Sequence, residues 1–282
     1  MHVASTKVWD GHDTEEQATH KTKTPPQSCT VAFDDIEWVV NMGRKDRPPH
    51  SAETLQDWSQ SLALFLGYEG TVLGAENIRV LWTKTSSAAP GRPRVTEVEV
   101  ANSTGTRFFE VLLPPQGDGP DAALVHFLSW RVGAGGEDGA AQRKWLALVE
   151  PNVFVATHEF LRFLGCFDAE QALGLAALRN RTHTDTGLLV LTQRAADMVG
   201  RVPGPTLVRA CRRAGVALKD VSVVVSDVPP DVWLGAHASD QIASGLRGPV
   251  VYTHVPLPLQ LDYFPYYVNF ERGRHPRSFV YP

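Results

Sequence analysis

Two spacings of apolar residues distinguish the two halves of the chain. In the first half, Ser51 can cap a helix. Its apolar face holds residues mostly three or four positions apart, namely Leu55, Trp58, Leu62, Phe65 and Leu66. The runs that follow have strand character and are separated by turns rich in Gly, Pro and Ser. They are Ile78–Thr83, Val95–Ala101, Arg107–Leu113, Asp121–Val132 and Lys144–Ala156. Consecutive strands with short turns predict an antiparallel meander, although Asp121–Val132 also fits a short helix.

The second half alternates helical periods with strands that are apolar throughout. Asp168 and Gln171 have the spacing of a capping box, which predicts a helix reaching about Arg181. Apolar strands follow at Gly187–Thr192, Val221–Ser226 and Val250–Val255, with helices at Pro205–Ala214 and His237–Leu246 between them. Such strands are buried on both faces, as in a parallel sheet with right-handed crossovers. The pattern therefore predicts a βαβαβ unit.

Both ends of the chain are predicted to be extended. Residues 1–30 are polar and cannot bury enough apolar surface to become ordered by themselves. The last segment combines prolines, which exclude helix and central strand, with aromatic residues that favour burial. We predict that these aromatic residues dock on the protein's own body or on another subunit; they are Tyr263, Phe264, Tyr266, Tyr267 and Phe270.

The resulting fold prediction is α+β to α/β. It has four segments: an extended polar arm (1–50), an α+β meander domain (51–165), an α/β unit (166–256) and an extended docking tail (257–282).

Composition excludes several classes of function. With 27 Lys and Arg against 31 Asp and Glu, the net charge is −4, so no bulk field attracts nucleic acid. Cys29, Cys166 and Cys211 lie far apart, which argues against a disulfide framework or a metal site. The chain begins without the apolar stretch of a secretory signal, and its apolar runs are far shorter than the roughly 20 residues that span a bilayer. We therefore expect a cytoplasmic or otherwise intracellular protein, with no membrane, metal or cofactor and without nucleic acid as its partner.

Candidate chemistry lies after the predicted parallel strands, because ligands of α/β sheets bind beyond the carboxyl ends of strands. Asp227 follows Ser226, and His254 follows Thr253. An acid, a histidine and a hydroxyl at one edge could serve as orienting acid, base and nucleophile. Asp227 and His254 could equally be loop residues that cap a helix or bond to the backbone.

A second candidate is the loop Gly200–Thr206, which leads to a helix N-terminus where phosphate can bind. It matches no phosphate-binding motif, and its two prolines lack amide donors. We therefore interpret it as a turn followed by a helix cap.

The run from Ala210 to Ser226, ACRRAGVALKDVSVVVS, resembles the passage from helix to core strand in thiolase-type ketosynthases. It covers under a tenth of the chain. The catalytic cysteine and histidine motifs of that family have no counterpart here, so the resemblance assigns no active-site residue.

Two functions remain open. The first hypothesis is that the protein is a non-catalytic assembly or partner-binding subunit of a larger complex. It rests on the two extended ends and on the lack of a catalytic motif. The alternative is a small-molecule enzyme of the hydrolase or acyl-transfer type that uses Asp227 and His254.

Overall fold

The described part of the chain forms eleven strands and four α-helices. The computed structural model describes residues 31–44, 77–85, 93–99, 106–114, 121–133, 143–150, 152–179, 183–202, 204, 206–227, 249–253 and 255. Their strands are β1 (Ile36–Arg44), β2 (Ile78–Thr85), β3 (Arg94–Val98), β4 (Arg107–Leu113), β5 (Trp145–Val149), β6 (Phe154–Val155), β7 (Leu173–Arg179), β8 (His183–Thr192), β9 (Ala217–Asp220), β10 (Val225–Ser226) and β11 (Val251–Tyr252). Their α-helices are α1 (Ala122–Gly133), α2 (Thr157–Leu164), α3 (Gln193–Gly200) and α4 (Leu207–Arg213).

Eight of these strands form one mixed sheet in the order β3-β4-β2-β1-β5-β8-β7-β9. β1 pairs in parallel with β2 and β5, as do β2 with β4 and β7 with β9, whereas β3 and β8 run antiparallel to their neighbours. A second sheet has the order β10-β11-β6, in which β10 and β11 are parallel and β6 is antiparallel. The protein is a mixed α/β structure whose main sheet is mostly parallel.

Apolar side chains on both faces of β1 place this strand in the interior of the sheet. On one face, Trp38 stacks on Phe33 with 5.8 Å between ring centroids and lies 5.6 Å from Phe160 of α2. On the other face, Val39 belongs to a cluster that contains Val125 of α1 and Val199 of α3. Helices α1, α3 and α4 therefore cover one face, while α2 and the small sheet cover the other.

The antiparallel meander predicted for the first half is wrong in most of its pairings. Among the described pairings within this half, β3 with β4 is antiparallel, whereas β1 with β2, β1 with β5 and β2 with β4 are parallel. The run Asp121–Val132 forms helix α1, the alternative that its spacing allowed, and its apolar side chains pack on the sheet. The predicted strand Lys144–Ala156 is divided into β5 and β6.

The helix predicted from Asp168 to about Arg181 is also wrong. Asp168 does accept hydrogen bonds from the backbone N–H of Glu170 and the side chain of Gln171, both at 3.0 Å. These bonds close a turn, and the next residues form strand β7 because it fills the space between β8 and β9. Local capping chemistry was therefore overridden by tertiary pairing.

The βαβαβ prediction is correct only in part. β10 and β11 pair in parallel, as predicted, but they are two residues long and lie in the small sheet. Gly187–Thr192 belongs to β8, which lies in the main sheet and is antiparallel to β5 and β7. Helix α4 is confirmed: Thr206 caps it by accepting from Arg209 N–H, and Gly215 follows it with a φ of +73°.

Strands from three predicted segments share the main sheet. β1 lies in the range predicted as the polar arm, β2 to β5 in the predicted meander domain, and β7 to β9 in the predicted α/β unit. The arm 1–30, the helices predicted at 51–66 and 237–246 and the docking tail lie outside the described residues. Within the described residues, no helix is long and apolar enough to cross a membrane.

Glu37 of β1 is a buried carboxylate that lies between two buried arginines. Its Oε2 lies 2.9 Å from Arg131 Nη2, and its Oε1 lies 3.5 Å from Arg79 Nε. Burial lowers the pKa of Arg79 to about 10, because desolvation penalises the guanidinium charge more than Glu37 stabilises it. Arg131 also bonds to Gln193 at 2.8 Å and to Asp197 at 3.4 Å, so the network joins β1 and β2 to α1 and α3.

We expect Glu37→Gln to lower the free energy of unfolding by about 3 kcal/mol or more, because two buried guanidinium groups lose the carboxylate that lies between them. The matched control is Glu97→Gln, because the Glu97–Arg107 pair is partly exposed and such pairs contribute about 1 kcal/mol or less. Urea unfolding measures both variants. Equal losses in the two variants would contradict a stabilising role for the buried network.

The two cysteines in the described residues lie in opposite environments. Cys166 is exposed, whereas Cys211 is fully buried in α4. Burial raises the pKa of the Cys211 thiol from 9.0 to about 12.

This pKa predicts a loss of stability in alkali. Between pH 9 and 12 the Cys211 thiol ionises in the unfolded state but not in the folded state, so the free energy of unfolding falls as pH rises. Cys211→Ala should remove up to about 1.4 kcal/mol per pH unit from that slope. The reference is the wild-type protein, whose slope contains the contribution of the Cys211 thiol. Denaturant unfolding at several pH values measures both, and an unchanged slope in Cys211→Ala would refute the prediction.

Candidate functional site

The main sheet extends in opposite directions from β1 and β5. After β1 the chain continues to β2 on one side, and after β5 it continues to β7 and β8 on the other side. In open α/β sheets, ligands bind outside the carboxyl ends of strands at such a topological switch point. The carboxyl edge of β1 and β5 is therefore the candidate site.

A tight turn ends β5 at this edge. Val153 N–H donates to the carbonyl oxygen of Glu150 at 3.1 Å. The Glu150 side chain is exposed, whereas Asn152 Oδ1 is buried and has no hydrogen-bond partner in the described part of the chain. A buried acceptor without a partner costs about 1–3 kcal/mol. Trp38 Nε1, Asn77 Oδ1 and Trp145 Nε1 are also buried without a hydrogen-bond partner in the described residues, so what distinguishes Asn152 Oδ1 is its position at the carboxyl end of β5.

The small sheet places two further strand ends beside this turn. Val255 N–H donates to the carbonyl oxygen of Asn152 at 2.8 Å, and Thr253 N–H donates to that of Ser226 at 2.9 Å. Neighbouring strands lie about 4.8 Å apart. The carboxyl ends of β10 and β11 therefore lie within about two strand spacings of Asn152.

The structure tests only part of the predicted acid–base set. Asp227 follows β10 as an exposed carboxylate. Thr253 is buried, and its hydroxyl donates to the carbonyl oxygen of Ser226 at 3.4 Å. His254 lies outside the described residues, so its pairing with Asp227 stays a prediction. The same holds for the five aromatic residues of the tail.

Sequence reasoning missed Glu150 and Asn152 as site residues because it extended one strand from Lys144 to Ala156. Pro151 was the available signal: proline cannot donate to a strand ladder and is excluded from central strands. Ending the strand at Val149 would have placed both polar residues at its carboxyl end.

The loop Gly200–Thr206 is a turn and cap, as interpreted from its prolines. Gly200 lies close to α1, since a Cβ atom there would lie 2.5 Å from the Leu128 carbonyl oxygen. Thr206 Oγ1 accepts from Arg209 N–H, and the Asp121 carboxylate accepts from Leu207 N–H at 3.2 Å. The first turn of α4 is therefore capped by the protein itself.

Several polar residues lie at the strand ends of this edge, among them Arg44, the last residue of β1. They include the exposed carboxylates of Glu150 and Asp227 and the buried amide oxygen of Asn152. Within the residues that the structure describes, no three His, Cys, Asp or Glu side chains could hold a metal ion. The arrangement is suited to contact a polar small molecule.

Comparison with known proteins shows no family relationship. No family model matches the chain, and no curated protein matches it. Among solved structures, a glycosyltransferase involved in the glycosylation of the major capsid of PBCV-1 is similar with a TM-score of 0.37 and 8% identity, over 81% of this chain and 98% of that chain. The apo form of mouse xyloside xylosyltransferase 1 has a TM-score of 0.33 and 8% identity, over 77% of this chain and 97% of that chain. Similarity at this level assigns no activity to the chain.

If Asn152 Oδ1 is reserved for a ligand, removing it should not harm the fold. We expect Asn152→Leu to leave the free energy of unfolding unchanged or to raise it by up to about 1 kcal/mol, because a buried acceptor without a partner is removed. The comparison variant is Asn77→Leu: Asn77 Oδ1 is likewise buried without a partner, but Asn77 Nδ2 donates to the Ile36 carbonyl oxygen at 3.1 Å, and losing that bond should destabilise this variant. Urea unfolding distinguishes them. A clear loss of stability in Asn152→Leu would make its amide a structural group.

Proposed function

We propose that the protein binds a polar small molecule at the carboxyl edge of its main sheet, beside the turn that follows β5. The observation that carries this proposal is the buried Asn152 Oδ1, which has no hydrogen-bond partner in the described part of the chain. A ligand that donates a hydrogen bond to this atom would offset its desolvation cost.

The position of the atom supports the proposal independently of its burial. Asn152 follows the strand next to the topological switch point, where α/β proteins bind ligands. The segment after β11 bonds to this turn through Val255 N–H and Asn152 O, and the end of β10 bonds to that of β11 through Ser226 O and Thr253 N–H. Three strand ends from distant parts of the sequence therefore converge on one edge.

A catalytic role rests on the predicted pair Asp227 and His254. If the bound molecule is a substrate, we propose these two residues as its acid–base groups, in a hydrolase or acyl-transfer type of reaction. The assembly role inferred from the two ends of the chain stays a prediction, because both ends lie outside the described residues.

The test incubates the full chain with a small-molecule extract, desalts the protein, denatures it and identifies the released compounds by mass spectrometry. We expect one compound enriched with the wild-type protein, and at least about tenfold less of it with Asn152→Leu, the effect of losing about 1.4 kcal/mol of binding free energy. Asp227→Asn should also lower its recovery.

The matched control for charge is Glu170→Gln. Glu170 is exposed and precedes β7, which runs parallel to β5, so it lies at the opposite edge of the sheet. This variant should retain the compound. Equal recovery with Asn152→Leu, or no enrichment with the wild-type protein, would refute the proposed function.

A further inference from the structure

The residues that form β7 lack the composition of a strand. From Asp168 to Arg179 the chain has no β-branched and no aromatic residue, which are the types that favour strands. The segment instead consists mainly of Ala, Leu, Glu, Gln and Arg, which favour helices. β7 is therefore a strand against the preference of its own sequence.

The apolar residues of this segment fit the periods of both a helix and a strand. In the helical period, one face holds residues three or four positions apart, namely Ala169, Ala172, Leu173, Ala176 and Ala177. In the observed strand, Leu173 and Leu175 pack on the face of the sheet that α2 covers, whereas Ala176 packs on the opposite face. The apolar pattern allows both structures, so pairing with the neighbouring strands decides between them.

The start signal of the helix is present in the folded protein. The Asp168 carboxylate accepts from Glu170 N–H and from the Gln171 side chain, both at 3.0 Å. Aspartate is among the preferred residues at the start of a helix. These bonds join close neighbours in the sequence, so they can form before the sheet does.

Gly174 is the residue on which the helix and the strand make opposite demands. In a helix interior, glycine is unfavourable compared with alanine. In β7, Gly174 lies between β8 and β9, where a Cβ atom would lie 2.6 Å from Leu218 Cδ2 and 3.0 Å from Leu191 Cδ2. Glycine therefore weakens the helix and leaves room for a leucine of each neighbouring strand.

The two partners of β7 both require more than local contacts. β8 follows β7 directly, but a two-stranded hairpin alone is only marginally stable in water. β9 comes after α3 and α4, so its parallel pairing with β7 has to close a long loop. A helix needs only bonds within the segment, which gives it the kinetic advantage.

We infer that residues 168–179 first fold as a helix capped by Asp168 and that this helix converts into β7 when β8 and β9 pair with it. A helix of this length is marginal in water, so its conversion costs little. Gly174 keeps the helix weak and the strand closely packed. This folding order concerns the main sheet and does not depend on a ligand at its carboxyl edge.

The test is pulsed hydrogen exchange during refolding of the full chain, read by mass spectrometry of peptic fragments. A helix protects amides through bonds within the segment, whereas pairing of β7 protects the amides of its partner strands as well. We expect residues 173–178 to become protected before residues 188–191 of β8 and before β9. Protection of β7 together with β8, or after it, would overturn the inference.

Two variants change the helix preference in opposite directions. Gly174→Ala should raise the early protection of the segment about fivefold, and Ala172→Gly should lower it about fivefold, the effect of about 1 kcal/mol between glycine and alanine in a helix. Ala172 directly precedes β7, so its variant leaves the pairing residues of the strand intact. The labelled fragments are read without a folded product, so the result stands even if Gly174→Ala does not reach the native state.

The matched control is Gly204→Ala. A Cβ atom at Gly204 would lie 3.1 Å from Ala210 Cβ, so this variant also crowds the folded protein, but it lies outside residues 168–179. It should leave the early protection of that segment unchanged. An equal change in Gly204→Ala, or no change in either Gly174→Ala or Ala172→Gly, would refute the helical intermediate.

Discussion

The burial of β1 between two parallel neighbours is the constraint on which the rest of the structure depends. A strand that pairs on both sides and is covered on both faces leaves no room for an uncompensated charge. Glu37 lies on this strand, so Arg79 and Arg131 have to lie beside it. This requirement positions the end of α1 and the start of α3 against the sheet. The stability of the main sheet and the placement of its helices therefore have a common origin.

The same central position of β1 locates the candidate site. Because β2 and β5 flank β1 and the chain leaves them in opposite directions, the carboxyl ends of β1 and β5 border one crevice. The ionic network lies at the opposite, amino end, since Glu37 is the second residue of β1. The ionic network and the proposed ligand site thus lie at opposite edges of one sheet.

The sequence predicted several individual strands and helices correctly, but it predicted their pairing in the sheet less well. The apolar runs at β2, β4 and β8 and the cap and glycine stop of α4 were recognisable, because burial and capping act locally. Strand direction was not recognisable, since crossovers through other parts of the chain determine it. Asp168 shows the limit most clearly: its carboxylate accepts from Glu170 N–H and from the Gln171 side chain, yet a strand follows. For the candidate site, Asp227 was predicted from its position after an apolar run. Asn152 was missed because the predicted strand extended past Val149 to Ala156.

The most direct test of the central claim is the electron density around Asn152 in crystals of the full chain soaked with the compound recovered from the extract. The account predicts density for a small molecule with a donor atom about 2.7–3.2 Å from Asn152 Oδ1, the usual range for a hydrogen bond. A protein group bonded to that oxygen, with the compound absent or bound elsewhere, would contradict it.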